Sequence, residues 1–251
     1  MDESDDFCPS RPTTMKLIHA APGRADVTAL VEDVRSTMRA QADQSCAPGM
    51  QAYMKSAMPF LGVPVPQVRA IVTERLRQEP AMTVEQLRDA AVTLWREAEF
   101  REERYAATAL TRARPARGVL ELLPLYQEMI VTGAWWDHVD EIARRIGELL
   151  VAHPAQIRPV LIEWSTAPDQ WLRRAAILGQ LGLRSATDLD LLAAVIEPNM
   201  GDREFFIRKA IGWALRDYAR TDPAWVGDFV ARHRAEMQPL SIREALKNVH
   251  G

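Results

Sequence analysis

Cysteine is nearly missing from this chain: 251 residues contain two, Cys8 and Cys46, and they form no CxxC pair. Neither a disulfide framework nor a cysteine-based zinc site can be built from so few. No apolar run is long enough to span a bilayer. The acidic start, with Asp2, Glu3, Asp5 and Asp6, is the wrong charge for a secretory signal, and the short LIHAAP stretch after Met15 and Lys16 does not change that. HExxH, a glycine-rich phosphate loop and GxSxG are all missing, which removes the usual signatures of zinc hydrolases, P-loop enzymes and serine hydrolases. His138 beside Asp137 lacks a third ligand, so neither a metal site nor a cofactor is expected. The expectation is a soluble protein of the reducing cytoplasm, with no membrane partner.

A strong net charge is also lacking. The formal value is -3, and the four acids of the first six residues account for more than that, since without them it becomes +1. An anionic partner is therefore not excluded, and the distribution of charge has to decide. With 47% hydrophobic and 26% charged residues the chain is expected to fold. Residues 1–14 are expected to be a disordered acidic tail, and residues 15–251 a single domain.

What is present is helical periodicity almost throughout, with apolar residues recurring at three and four and Pro or Gly punctuating the runs. The pattern predicts helices at 25–43, 49–58, 66–78, 83–95, 98–113, 117–132, 135–151, 154–165, 169–183, 187–197, 204–220, 222–234 and 240–249, and no strand. A register runs through them. The segments starting at Arg69, Arg104, Val139, Arg173, Arg208 and Arg243 are separated by 35, 35, 34, 35 and 35 positions, and five of the six starts are arginine. Such a period is one helical hairpin repeated, each unit burying its apolar face on its neighbours. The second helices of successive units then stack side by side, and equivalent positions can meet across axes roughly 8 to 10 Å apart.

One position in that register reads Tyr105, Asp140, Arg174, Lys209, Glu244. It places Arg174 beside Asp140, with Lys209 beyond. A guanidinium next to a carboxylate favours the ionised form. Around Asp140 the sequence runs WWDHVD, and adjacent tryptophans on a helix diverge by about 100°, so the two rings cannot share a face. Trp135 joins the apolar stripe of Val139, Ile142 and Ile146, whereas Trp136 stands over Asp140 and Arg144. Two units later Lys209, Trp213, Arg216 and Arg220 line up at spacings of four, three and four. Cations that contact phosphates, with an aromatic plane for a base or sugar, suit a nucleic acid. The same residues are also compatible with ordinary helix packing and an ordinary salt bridge between repeats.

Six segments carry a family resemblance: YMKSAMPFLGVPVPQVR at 53–69, LWREAEFREERYAA at 94–107, WWDHVDEIA at 135–143, WLRRAAIL at 171–178, EFFIRKAIGWALRDYARTDP at 204–223 and PLSIREALK at 239–247. In this order they resemble the AlkD-type bacterial DNA alkylation repair glycosylases. The resemblance implies an all-α fold, a right-handed α-solenoid of HEAT-like hairpin repeats. It puts the family's catalytic aspartate on Asp140, its neighbouring aromatic on Trp136, the active-site arginine on Arg174 and a second tryptophan on Trp213. It puts a cleft tyrosine on Tyr53 and a DNA-contacting arginine on Arg216, to which the stripe adds Lys209 and Arg220.

The implied activity is DNA repair by a monofunctional alkylpurine DNA glycosylase. Its substrates are cationic N3- or N7-alkylated purines in double-stranded DNA, its cofactor requirement none, and its state a monomer, nucleoid-associated when bound to DNA. The resemblance also implies that the lesion stays stacked in the duplex, since the contacts go to sugar and phosphate. The competing expectation is a non-catalytic HEAT-like DNA-binding protein that recognises distorted or branched DNA.

Overall fold

A computed structural model describes residues 24–79 and 81–249; the acidic tail of residues 1–14, with Cys8, lies outside them. Thirteen α-helices and no strand occur among the described residues. They are α1 (Arg24–Ala40), α2 (Ala47–Met54), α3 (Val65–Gln78), α4 (Val84–Arg96), α5 (Arg101–Leu110), α6 (Leu123–Gly133), α7 (Trp136–Ala152), α8 (Pro154–Ser165), α9 (Gln170–Leu178), α10 (Leu189–Ile196), α11 (Phe205–Tyr218), α12 (Pro223–Arg232) and α13 (Pro239–Ala245). Every helix expected from the periodicity is present, with shifted ends.

Local chemistry explains where the helices begin. Thr83 and Gln86 close a reciprocal capping box at α4. The side chain of Asp169 accepts from the backbone N–H groups of Trp171 and Leu172 at the start of α9, and Asp188 and Asp222 cap α10 and α12 in the same way. Proline occupies the first turn of α8, α12 and α13, where its missing N–H costs nothing. Some ends fall short of the apolar pattern. The run expected to continue to 183 stops at Leu178 and gives way to a turn that passes through Gly182 at φ 82°. The second helix stops at Met54 because Lys55 adopts a left-handed conformation.

Helices pair and stack as the register requires. The six register segments fall in α3, α5, α7, α9, α11 and α13, and each of these packs on the next along the chain, while α4, α6, α8, α10 and α12 form the other layer. The apolar faces merge into one core from Leu30 to Ala245. Two close approaches hold the inner layer together. A Cβ on Gly147 of α7 would meet the carbonyl oxygen of Gly179, just past α9, at 2.7 Å, and one on Gly212 of α11 would meet the Cβ of Glu244 in α13 at 2.4 Å. Only glycine lets the neighbouring helix come so near.

Aromatic rings join the first turns of three inner helices. Trp135, Trp171 and Phe206 lie 36 and 35 positions apart, and their centroids are 5.0 to 6.0 Å from one another. Trp135 is the extended residue just before α7, at φ -153° and ψ 149°, so it leaves the helix and enters this cluster half-buried. That corrects its expected place in the apolar stripe of α7. The two tryptophans diverge because one precedes the helix and the other begins it.

Candidate functional site

Asp140 sits in the second turn of α7, one turn after Trp136 and one turn before Arg144. From α9 the guanidinium of Arg174 reaches it as a fork: Nε donates to Oδ1 at 2.7 Å and Nη2 to Oδ2 at 2.8 Å. Nη1 of the same group donates to the carbonyl oxygen of Phe206 at 2.6 Å, at the start of α11. The carbon of the guanidinium also lies 5.9 Å from the centre of the Phe206 ring. Three consecutive units thus fix one arginine.

Burial of this pair is unequal. The Arg174 side chain is 5% exposed and that of Asp140 is 16% exposed, so the cation lies behind and the carboxylate keeps an opening. Burial raises the Asp140 carboxyl above the usual aspartate value, Arg174 pulls against it through hydrogen bonds and charge, and the nearby Asp137 adds to the rise. Arg174 favours the ionised form, as its place in the register led one to expect, but desolvation outweighs it. Arg174, also expected from the sequence to contact the phosphate backbone, is enclosed in this conformation, with three of its donors taken.

A second network supports the start of α7. Arg101 donates from Nη2 to Oδ1 of Asp137 at 2.8 Å, and the Tyr105 hydroxyl donates to Oδ2 at 2.6 Å. Burial alone would raise Asp137, but the opposing charges and these hydrogen bonds leave it below the usual range. His138 adds to that effect only when protonated, and burial pushes it down to about 3, so it is neutral at ordinary pH. Its ring lies among Trp95 and Tyr105, at centroid distances of 5.0 and 5.2 Å. Arg101 Nη1 also reaches the hydroxyl of Ser56 at 3.4 Å, which ties the end of α2 to the start of α7. Tyr53, one turn before that tie, is exposed.

The remaining expected residues lie along α11. Trp213 and Arg220 line a cleft of about 560 Å³ together with Arg144, Gly182, Arg184 and Asp217. Arg144, one turn from Asp140, connects the carboxylate to this cleft, and its charge acts on Asp140. Lys209 and Arg216 are not solitary cations: both bond Glu244, at 3.2 and 2.6 Å. The row Tyr105, Asp140, Arg174, Lys209, Glu244 therefore resolves into two ion pairs, Asp140 with Arg174 and Lys209 with Glu244. Tyr105 serves Asp137 instead.

Several participants were not singled out from the sequence. Glu141 bonds Arg69 of α3 at 2.8 Å and reaches Arg112 at 3.4 Å, joining units two apart. Arg101 and Asp137 lie 36 positions apart, close to the repeat length, and that spacing was the available signal. No group of three or more His, Cys, Asp or Glu side chains is placed to hold a metal ion among the described residues, and no described helix is long and apolar enough to cross a membrane.

The arrangement is an anion with a partial opening, backed by a buried guanidinium, flanked by Trp136 and by an arginine-lined cleft that contains Trp213. Such a site can stabilise positive charge developing on a molecule held by its phosphates. Comparison with known proteins bears on the family and the fold. Residues 34–249 match the family model described as DNA alkylation repair enzyme. Among solved structures, a protein described as a predicted DNA alkylation repair enzyme from Enterococcus faecalis is 30% identical, with a TM-score of 0.72 over 82% of this chain and 95% of that one. AlkD2 from Streptococcus mutans is 18% identical, with a TM-score of 0.57 over 72% of this chain and 89% of that one. The smu.31 protein of Streptococcus mutans UA159 is also 18% identical, with a TM-score of 0.56 over 73% and 96%. At 18% these two show a shared fold. No curated protein sequence matches.

Proposed function

The chain belongs to the DNA alkylation repair enzyme family, and on that footing we propose that it is a monofunctional DNA glycosylase acting on N3- or N7-alkylated purines in duplex DNA. Such a base already carries positive charge and leaves as a neutral molecule, so no general acid is needed. When the N-glycosidic bond breaks, its electron pair goes to the base and positive charge appears on the deoxyribose. Water then adds at the sugar carbon and gives up a proton, leaving an abasic site and a free base.

Asp140 is assigned two tasks: stabilising the oxocarbenium-like sugar and orienting the attacking water. A preorganised charge of this kind acts without reorganising during the reaction. Arg174 holds the carboxylate in one orientation from behind. Trp136 and Trp213 are assigned to the deoxyribose, whose electron-poor C–H groups are drawn to an indole face much as cations are. Tyr53, Lys209, Arg216 and Arg220 are assigned to the sugar-phosphate backbone. With the contacts on sugar and phosphate, the lesion is held stacked, unlike the flipped base that most base-modifying enzymes use.

The observation that carries this reading is the orientation of the Asp140–Arg174 pair, buried cation inward and partly open anion outward. The test is incubation with duplex DNA containing 7-methylguanine, scored for free base and for abasic sites. Release of base by the wild type and its loss in Asp140→Asn is the expected result. Binding without release would leave a non-catalytic DNA-binding protein.

A further inference from the structure

Glu244 has no part in the chemistry proposed above, yet three cations converge on it. Its carboxylate is bonded by Arg216 Nη1 at 2.6 Å, Lys247 Nζ at 2.8 Å and Lys209 Nζ at 3.2 Å. The side chain is 7% exposed, while those of the three cations are between 28% and 48% exposed. The anion therefore lies beneath, with the cations between it and solvent. It is also held firmly, because α13 rests on α11 at the point where Gly212 has no side chain.

This is the reverse of the neighbouring pair, in which the cation lies beneath and Asp140 faces out. A carboxylate and a phosphate compete for the same N–H donors, and each donor turned inward toward Glu244 is one not turned outward. The inward charge also lowers the potential that the three cations present together. The hydrogen bonds and charge of Lys247 and Lys209, the bond from Lys247 first, hold the Glu244 carboxyl down at about 2 against the effect of burial, so it remains ionised at any working pH.

We infer that Glu244 sets the affinity of the inner face for DNA by standing in for a backbone phosphate, keeping Lys209, Arg216 and Lys247 partly neutralised so that undamaged duplex is held weakly. The inference rests on the proposed assignment of Lys209 and Arg216 to DNA, and it adds Lys247 to the DNA-facing cations. Glu244 acts only through these cations and is a positioning residue. For a repair enzyme the benefit is release from the great excess of intact sequence.

The test is fluorescence anisotropy with a short undamaged duplex over a series of salt concentrations. Glu244→Gln is expected to bind roughly 5- to 10-fold tighter near 0.1 M salt, and log K is expected to fall more steeply with log salt, by about 0.9 for one further phosphate neutralised. Glu163→Gln removes the same charge from an exposed site on α8 and is expected to bind as the wild type does. The gain is expected to vanish when Lys209, Arg216 and Lys247 are also changed to Gln. Unchanged or weaker binding by Glu244→Gln, with an unchanged salt slope, would make Glu244 a structural strut and overturn the inference while leaving the glycosylase reading intact. If the wild type binds no duplex even at low salt, the proposed function itself falls. Should Glu244→Gln not fold, Glu244→Asp, which withdraws the charge by one methylene, is expected to shift affinity and slope in the same direction by less.

Discussion

Arg174 grips both oxygens of Asp140 from the adjacent unit, 34 positions along the chain, at 2.7 and 2.8 Å. An unpaired carboxylate so enclosed would be strongly disfavoured, and a guanidinium fork matches it with two parallel bonds that leave little rotational freedom. The carboxylate is thereby fixed in direction while its outer edge stays open.

Asp140→Asn keeps the size of the side chain and removes its charge. Excision of 7-methylguanine from duplex DNA is expected to fall by about 10² to 10³-fold, the usual cost of losing one preorganised electrostatic group. Affinity for the same duplex is expected to change little, because the backbone contacts lie elsewhere. Single-turnover release of base, measured beside anisotropy binding, separates the two effects.

Excision should depend on the ionised form of Asp140, so the rate is expected to drop as pH falls through its pKa. Because burial raises that pKa, the acid limb of the profile is expected above the ordinary aspartate value of about 3.9. Arg174 opposes the rise, and Arg174→Gln should move the limb further up as well as lowering the plateau. A pH series of single-turnover rates, with folding followed by circular dichroism at each pH, checks both directions. A limb that stays in place in Arg174→Gln would remove Asp140 as the titrating group.

Arg144 and Arg220 line the cleft that contains Trp213. If each neutralises one phosphate, Arg144→Gln and Arg220→Gln should each flatten the slope of log K against log salt by about 0.9. Arg220→Gln is expected to leave the excision rate at saturating enzyme unchanged. Arg144→Gln is expected to slow it as well, since the charge of Arg144 acts on Asp140. Binding titrations at four or more salt concentrations give the slopes.

Gly147→Ala tests the spacing of α7 and α9. The new methyl would fall 2.7 Å from the Gly179 carbonyl oxygen, a backbone atom that cannot swing aside. Overpacking of this sort costs about 1 to 3 kcal/mol, and each kcal/mol lowers Tm by roughly 2 to 4 °C in a domain of this size. Because the same two helices carry Asp140 and Arg174, excision is expected to fall by more than the loss of folded protein explains. Thermal melts and rates at a temperature well below Tm separate these contributions.

Much of the architecture was legible because the signals that set it are local. Apolar residues at three and four, and the Pro or Gly that punctuates the runs, each act within a few residues, and all thirteen helices followed from them. The 35-residue register then brought Arg174 beside Asp140 without any knowledge of three-dimensional shape, whereas the pairing of Lys209 with Glu244 emerged only in the structure. Helix ends were less legible, since an apolar pattern continues past Leu178 and Met54 while the backbone turns away. Burial was least legible. Spacing put Arg174 next to Asp140 with the carboxylate open to the surface, but it did not show how deeply the pair is buried, and the bond from Arg69 to Glu141 crosses 72 positions, two repeats apart.

The hydrogen bond from Arg174 to the Phe206 carbonyl has a consequence for how such a chain can be altered. Unit-by-unit proteins generally tolerate gain or loss of a unit, because each unit answers only to its neighbours. Here the arginine belongs to one unit, its carboxylate to the unit before, and its remaining anchor to the unit after. Duplicating or deleting a segment between residues 140 and 206 would pull its three anchors apart. The middle of this modular protein is indivisible.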